Sequence, residues 1–176
     1  MSPKDISSGG PKTKISLNLN RIAEVAIVSA LYVVLTYVIA PIGYGPIQFR
    51  VSEAMVILVA ARPHLIFFVP IGCFFANVIS PYGLWDLVFM PVVSTIGALP
   101  MFFMGKRYLL VTSWIYGIVT GVGVGLMLTV LAALPEFGYL AITSFVTTSQ
   151  LIIMTLAFFV FRNYFRFFKK EKSPLD

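Results

Sequence analysis

Six apolar segments, separated by short turns rich in proline and glycine, constrain this chain more than any other feature. They cover approximately residues 22–40, 51–62, 64–79, 85–104, 109–134 and 139–161. A helix needs about 20 apolar residues to cross a bilayer, and the second and third segments are short for a full crossing. The pattern predicts an all-α membrane protein with six transmembrane helices in one compact bundle.

The composition excludes a soluble enzyme. The chain is 59% hydrophobic and only 11% charged, whereas soluble domains are about 45–50% apolar and about 25% charged. The lone cysteine, Cys73, lies inside an apolar segment, so no disulfide framework or paired-thiol metal site is expected. We predict a multi-pass protein of the cell membrane.

The two ends of the chain are polar. Residues 1–20 are rich in Ser, Gly, Pro and Lys, and they lack the apolar stretch and cleavage site of a secretory signal. We predict a flexible cytoplasmic tail over 1–20, a six-helix transmembrane domain over 21–168 and a basic cytoplasmic tail over 169–176.

The basic residues predict the orientation in the membrane. With the N and C termini cytoplasmic, twelve of the 13 Lys and Arg residues lie on the cytoplasmic side, as the positive-inside rule requires. The twelve are Lys4, Lys12, Lys14, Arg21, Arg62, Lys106, Arg107, Arg162, Arg166, Lys169, Lys170 and Lys172. Basic and aromatic residues form no stripe along one face, so no nucleic acid partner is expected. Arg50 is the exception on the outer side.

Polar residues near the hydrocarbon layer are candidates for function, because an unpaired ionisable group costs several kcal/mol there. Arg50 and Glu53 are three residues apart and share a helix face. Asn77, near the end of the third segment, and Asp86, at the start of the fourth, are expected at the same outer depth. We predict a small polar pocket at the outer side. A structural ion pair between Arg50 and Glu53 is the alternative.

Aromatic residues surround these positions in the sequence. Tyr44, Phe49, Tyr82 and Trp85 form the predicted roof of the pocket. For Tyr44 and Trp85, a place in the interfacial aromatic belt is an equal alternative. Gln48 is a candidate ligand contact or a solvated loop residue.

Small residues recur at every fourth position in three segments, and Gly72 and Ala76 are the pair in the third segment. Gly117, Gly121 and Gly125 are expected to pack within the bundle, since small residues let helix backbones approach closely. Ala26 and Ala30 serve the same purpose within the bundle or form a surface for a partner membrane protein.

No catalytic motif is present. The sequence lacks GxxxxGK[ST], HExxH and GxSxG, and has a single histidine, His64. We expect that the protein is not an enzyme and that it has no catalytic residue, metal site or cofactor.

Three stretches resemble the QueT family. They are APIGYGPIQFRVSEA (40–54), GCFFAN (72–77) and SPYGLWDLVF (80–89). QueT proteins are substrate-binding S components of energy-coupling factor (ECF) transporters for queuosine precursors. The resemblance covers the first four segments and implies a six-helix S component. It also implies that Ala26 and Ala30 contact a transmembrane coupling protein, which two cytoplasmic ATPases drive.

The resemblance further implies a purine-like ligand captured from outside, a deazaguanine base or queuine. Its N–H edge suits a carboxylate, and we place Glu53 on that edge and Asp86 on an aminomethyl group, with the reverse assignment equally allowed. The ring carbonyl needs a donor, for which Gln48, Arg50 and Asn77 are the candidates, and the ring faces can stack on an aromatic side chain. The candidates for that stacking include Tyr82 and Trp85.

Two alternatives stay open. The sequence departs from the family pattern at Met90, at Gln150 and in the fifth segment, where this chain has only Gly, Val and Leu in place of an Asn and a Glu. The departures in the fifth segment favour an S component for another vitamin-like molecule. A structural membrane subunit without a ligand is the second alternative.

Overall fold

A computed structural model describes residues 18–44, 49–131 and 138–171, and these residues are helical with short connections. We number the main helical segments α1 to α6. They are α1 (Leu19–Val38), α2 (Val51–Ala61), α3 (Pro63–Ile79), α4 (Leu84–Met104), α5 (Leu109–Leu126, continued by a π-helical turn over Met127–Leu131) and α6 (Tyr139–Glu171). A single helical turn, Ala40–Gly43, follows α1.

Within the described residues, three helical stretches are long and apolar enough to cross a membrane. They are Leu19–Val38, Leu84–Val130 and Tyr139–Asn163, whereas Val51–Ala61 and Pro63–Ile79 are shorter apolar helices. The 47-residue stretch comprises α4 and α5, which fold back on each other. A side chain at Gly97 would meet Tyr116, and one at Gly123 would meet Val93, so the two helices run antiparallel.

Local backbone chemistry sets several of these boundaries. Arg62 is extended, with φ −137° and ψ 91°, as the residue before a proline prefers, and α2 therefore ends at Ala61. Gly83 precedes α4 with φ 64° and Gly105 follows it with φ 55°. Such left-handed backbone is readily adopted by glycine and costs other residues energy.

The helices close into a ring of contacts. In spatial order α1 packs on α3, α3 on α4, α4 on α5, α5 on α6, α6 on α2 and α2 on α1. The α5–α6 contact is close, because Thr147 leaves no room for a side chain at Gly121, and Thr143 leaves none at Gly125. This agrees with the prediction that these glycines pack within the bundle.

The first turns of α2 are 3₁₀-helical over Val51–Ile57, and this geometry positions the candidate site. A 3₁₀-helix has three residues per turn, so side chains at every third position lie on one line. Arg50, Glu53 and Val56 follow that spacing, and all three are buried. The 3₁₀ turns therefore point both charged side chains into the bundle.

Polar and apolar residues are distributed as a membrane environment requires. On α4, Val88, Val92 and Ile96 are exposed, whereas Asp86 and Ser94 are buried. Apolar side chains in contact with lipid gain little from being buried in the bundle. Polar groups in such helices face the bundle interior. The interior of this bundle consequently contains its candidate functional residues.

Candidate functional site

A buried ion pair links α2 and α4. Arg50 donates from Nη2 to Oδ2 of Asp86 at 3.2 Å, and the two side chains are 2% and 0% exposed. The guanidinium also donates from Nε to the carbonyl of Gly43 at 3.4 Å and lies 4.8 Å from the centre of the Tyr44 ring. Asp86 lies in the first turn of α4, where the helix dipole favours a negative charge.

Asp86 and Asn77 each present an oxygen with no hydrogen-bond partner. These atoms are Asp86 Oδ1 and Asn77 Oδ1, both buried and both unpaired among the residues that the structure describes. Asn77 donates from Nδ2 to the backbone carbonyl of Asp86 at 3.1 Å, so the two residues are neighbours. A buried polar atom without a partner is costly, and two such acceptors on neighbouring residues fit a ligand that brings N–H donors.

Glu53 is bound differently. It accepts a hydrogen bond at Oε1 from the hydroxyl of Tyr32 at 2.8 Å, and a second at Oε2 from the hydroxyl of Tyr116. Tyr32 belongs to α1 and Tyr116 to α5, so Glu53 on α2 joins three helices. The described structure pairs Arg50 with Asp86 and Glu53 with two tyrosines, rather than Arg50 with Glu53.

Two tyrosines lie beside the ion pair. Tyr44 is buried and donates its hydroxyl to the carbonyl of Ala76, and Tyr82 donates to the carbonyl of Tyr44 at 3.0 Å. Burial raises the pKa of Tyr44 to about 12, although the charge of Arg50 opposes this. Tyr44 therefore stays protonated and remains a donor at neutral pH.

The structure brings together Arg50, Glu53, Asn77 and Asp86, which we call the inner cluster. Tyr82 lies at its edge. Trp85 lies apart from it, because its side chain is 52% exposed and faces the outside of the bundle beside Val88 and Val92. Gln48 falls outside the described residues.

Tyr32 and Tyr116 were not among the residues selected from the sequence. Each lies well inside an apolar segment, away from the segment ends where the interfacial aromatic belt places tyrosines. Their position inside the segments is the sequence signal that could have identified them, because a buried tyrosine hydroxyl requires a hydrogen-bond partner. Their shared partner, Glu53, could not be inferred without the tertiary fold.

The side chains of the inner cluster are suited to binding a ligand. It offers carboxylate and amide oxygens, a guanidinium and aromatic rings at an internal location, which suits a planar heterocycle with donors along one edge. No group of three or more His, Cys, Asp or Glu side chains that could hold a metal ion occurs in the described part of the chain.

Comparison with known proteins decides the family. A family model described as "QueT transporter" matches residues 22–164, which is most of the chain and includes every residue of the inner cluster. The chain belongs to the QueT transporter family. This assignment, together with the three long apolar helices, makes it a multi-pass protein of the cell membrane.

A curated relative gives a narrower match. The chain is 46% identical over 61 residues to the "Queuosine precursor transporter QueT" of Lactococcus lactis subsp. cremoris (strain MG1363). That match covers 34% of this chain and 36% of the relative, so it spans about a third of each protein. No solved structure matches this QueT family member.

Proposed function

We propose that this QueT family member is the substrate-binding S component of an ECF importer and captures a queuosine precursor, a deazaguanine base or queuine, from outside the cell. The observation that carries the proposal is the pair of buried, unpartnered oxygens on Asp86 and Asn77 beside an ionised arginine. A protein interior tolerates such atoms where a ligand completes their hydrogen bonds.

The ligand chemistry follows from this arrangement. The free Oδ1 of Asp86 accepts a donor from the ligand, and so does Oδ1 of Asn77. Arg50 supports the ring carbonyl, and Tyr82 is positioned at the edge of the cluster for stacking. Glu53, with one tyrosine hydroxyl on each oxygen, still has lone pairs for a ligand N–H.

Ligand binding to the purified full chain tests the site. Isothermal titration with a deazaguanine base is compared between the parent protein and the variants Asp86→Asn and Glu53→Gln. The expected result is a loss of roughly 10- to 100-fold in affinity for Asp86→Asn, because a hydrogen bond to a charged group contributes about 1.5–3 kcal/mol. Glu24→Gln, far from the cluster, is the control and keeps full affinity. Unchanged affinity in both site variants contradicts the assignment.

The proposal includes a membrane topology of six crossings with both termini in the cytoplasm. In this topology, the turn before α4 is extracellular and the turn between α4 and α5 is cytoplasmic. Cysteine labelling of intact cells with a membrane-impermeant maleimide tests this at two exposed positions. We expect Pro81→Cys to react and Lys106→Cys to react only after the membrane is permeabilised; the reverse pattern contradicts the topology.

The proposal also includes an ECF transmembrane coupling protein with two ATPase subunits as partners. Ala26 and Ala30 are exposed on α1 and leave a shallow surface that another helix can approach. We expect Ala26→Leu and Ala30→Leu to lower ligand uptake in cells while leaving ligand binding unchanged. Ala141→Leu, at an exposed alanine of α6, is the matched control, and equal uptake in all three contradicts this surface.

A further inference from the structure

A network of buried polar side chains connects Asn77 to Glu53 through the interior of the bundle. Asn77 donates from Nδ2 to the sulfur of Cys73 at 3.4 Å, and that sulfur lies 3.8 Å from Oγ of Ser94. The Ser94 hydroxyl is hydrogen-bonded to that of Tyr116, which donates in turn to Glu53. Each of these side chains is at most 2% exposed. We call them the polar network; it crosses from α3 through α4 and α5 to α2.

The number of available hydrogens fixes the direction of each bond in the polar network. The carboxylate of Glu53 can only accept, and it takes the one hydrogen of the Tyr116 hydroxyl. The Tyr116 oxygen therefore accepts the one hydrogen of Ser94. Because Ser94 then has no hydrogen left for the sulfur, the thiol of Cys73 donates to Ser94. Every donor in the network consequently points toward Glu53, and Asn77 is the first donor of the series.

This direction leaves the Asn77 amide with only an acceptor to offer. Its nitrogen has two hydrogens, of which one goes to the backbone carbonyl of Asp86 at 3.1 Å and the other to Cys73. A carbonyl can only accept, so turning the amide over would place two oxygens against each other. Oδ1 has no partner among the described residues, and it is therefore the atom of the amide that stays available to a ligand.

We propose that Cys73 and Ser94 are positioning residues that, together with the carboxylate of Glu53, fix Asn77 as a hydrogen-bond acceptor for the ligand. This inference rests on the proposed function and adds two residues to it that act through Asn77. A ligand donor then meets an acceptor that is already oriented, which avoids the cost of ordering it on binding. The inference also removes Asn77 from the candidate donors to the ring carbonyl, because both of its hydrogens are engaged.

Infrared spectroscopy tests the direction of the polar network without a ligand. Cys73 is the one cysteine of the sequence, so the full chain gives a single S–H stretching band, whose frequency falls when the thiol donates a hydrogen bond. We expect Ser94→Ala to raise this frequency, because the acceptor is removed. Ser113→Ala is the matched control and should leave the band in place, since Ser113 is also buried but donates to the carbonyl of Leu109 at 2.6 Å. An unmoved band in Ser94→Ala overturns the inference.

Titration calorimetry with a deazaguanine base tests the consequence for the ligand. We expect Cys73→Ala and Ser94→Ala each to weaken binding roughly 3- to 10-fold. Cys73→Ser should keep the affinity within about twofold, because a hydroxyl also accepts and donates. In the Asn77→Ala background, Cys73→Ala should cause no further loss, since the residue that it positions is absent. Thermal unfolding of the same preparations shows whether each variant is folded.

The outcomes separate this inference from the proposed function. Full affinity in both alanine variants overturns the positioning role, and so does an equal loss from Cys73→Ala with and without the Asn77 side chain. In either case, binding of the base by the unmodified chain leaves the proposed function intact. Failure of the unmodified chain to bind the base contradicts the proposed function, and the infrared comparison still decides the direction of the polar network.

Discussion

Two groups of charged side chains lie at opposite ends of α2 and differ in their environment rather than in their chemistry. In the inner cluster, Arg50 and Asp86 are 3.2 Å apart and 2% and 0% exposed. At the other end, Arg62 and Glu24 are 2.6 Å apart and 60% and 38% exposed, and His64 lies 2.7 Å from the second oxygen of Glu24. We call Glu24, Arg62 and His64 the end cluster.

The comparison shows that the shorter ion pair is not the more consequential one. Water and ions screen the end cluster, and exposed salt bridges contribute little to stability. The inner pair is buried, so solvent screens its charges little, and removing one partner leaves an unpaired buried charge. Of these two clusters, the inner one alone contains buried oxygens without a partner among the described residues, so the same residue types form a candidate recognition site at one end and a surface contact at the other.

The largest expected difference is in stability. Arg50→Met removes the counter-charge of Asp86 and is expected to lower the free energy of unfolding by about 3–5 kcal/mol. Arg62→Met, the equivalent change in the end cluster, is expected to have a much smaller effect. Denaturant unfolding of both variants in the same detergent makes the measurement. Equal losses would remove the distinction between the two clusters.

Replacing both partners of the inner pair sharpens the comparison further. The double variant Arg50→Met/Asp86→Leu is expected to recover most of the stability lost in Arg50→Met, because no unpaired charge is left. It is nevertheless expected to bind no deazaguanine ligand. Stability is measured by thermal unfolding and binding by calorimetry on the same preparations. A double variant that binds the ligand normally would show that the pair is structural only.

The anchoring of Glu53 predicts an intermediate effect. Tyr116→Phe removes one of the two hydroxyls that bind this carboxylate, and we expect it to cost about 1–3 kcal/mol of stability. Tyr108→Phe, at an exposed tyrosine, is the matched control and should change stability by less than about 0.5 kcal/mol. Similar values for the two would indicate that Glu53 does not depend on its tyrosines.

The smallest effect concerns alkaline pH. The raised pKa of Tyr44, about 12, means that the folded protein favours the neutral phenol relative to an unfolded tyrosine, whose pKa is about 10. The stability contributed by Tyr44 is therefore complete below pH 10 and declines as the pH rises toward 12. Tyr44→Phe should show a shallower loss of stability over this range, measured by chemical unfolding at several pH values. An unchanged dependence of stability on pH in this variant would contradict the raised pKa of Tyr44.

Much of the fold was predictable because apolar length and turn residues act locally. The predicted segment 85–104 corresponds to α4 at Leu84–Met104. Pro63 and Gly105 mark helix boundaries through the backbone preferences of proline and glycine, which are local properties. The 3₁₀ geometry of Val51–Ile57 and the extent of α6 to Glu171 were not predicted, because both depend on packing against neighbouring helices.

The four residues of the inner cluster were predictable as candidates, but their pairing was not, and neither were the exclusion of Trp85 and the part played by Tyr32 and Tyr116. An arginine, two carboxylates and an asparagine are recognisable as unusual in an apolar chain, because placing such groups in a membrane costs free energy. The spacing of Arg50 and Glu53 offered a local ion pair as the alternative to a ligand pocket, whereas the described structure joins Arg50 to Asp86, 36 residues away. The outward orientation of Trp85 next to the inward-facing Asp86 likewise follows from the rotation of α4 in the bundle.

The sequence by itself determined that this chain is a helical membrane protein of the QueT type and that a few polar residues are unusual in it. These properties depend on composition, segment length and short motifs, which are properties of adjacent residues. Only the tertiary structure decided that Glu53 is held by Tyr32 and Tyr116 while Asp86 keeps a free oxygen. These pairings depend on the distances between helices, because a buried charge interacts with whichever groups the fold brings within a few ångströms of it.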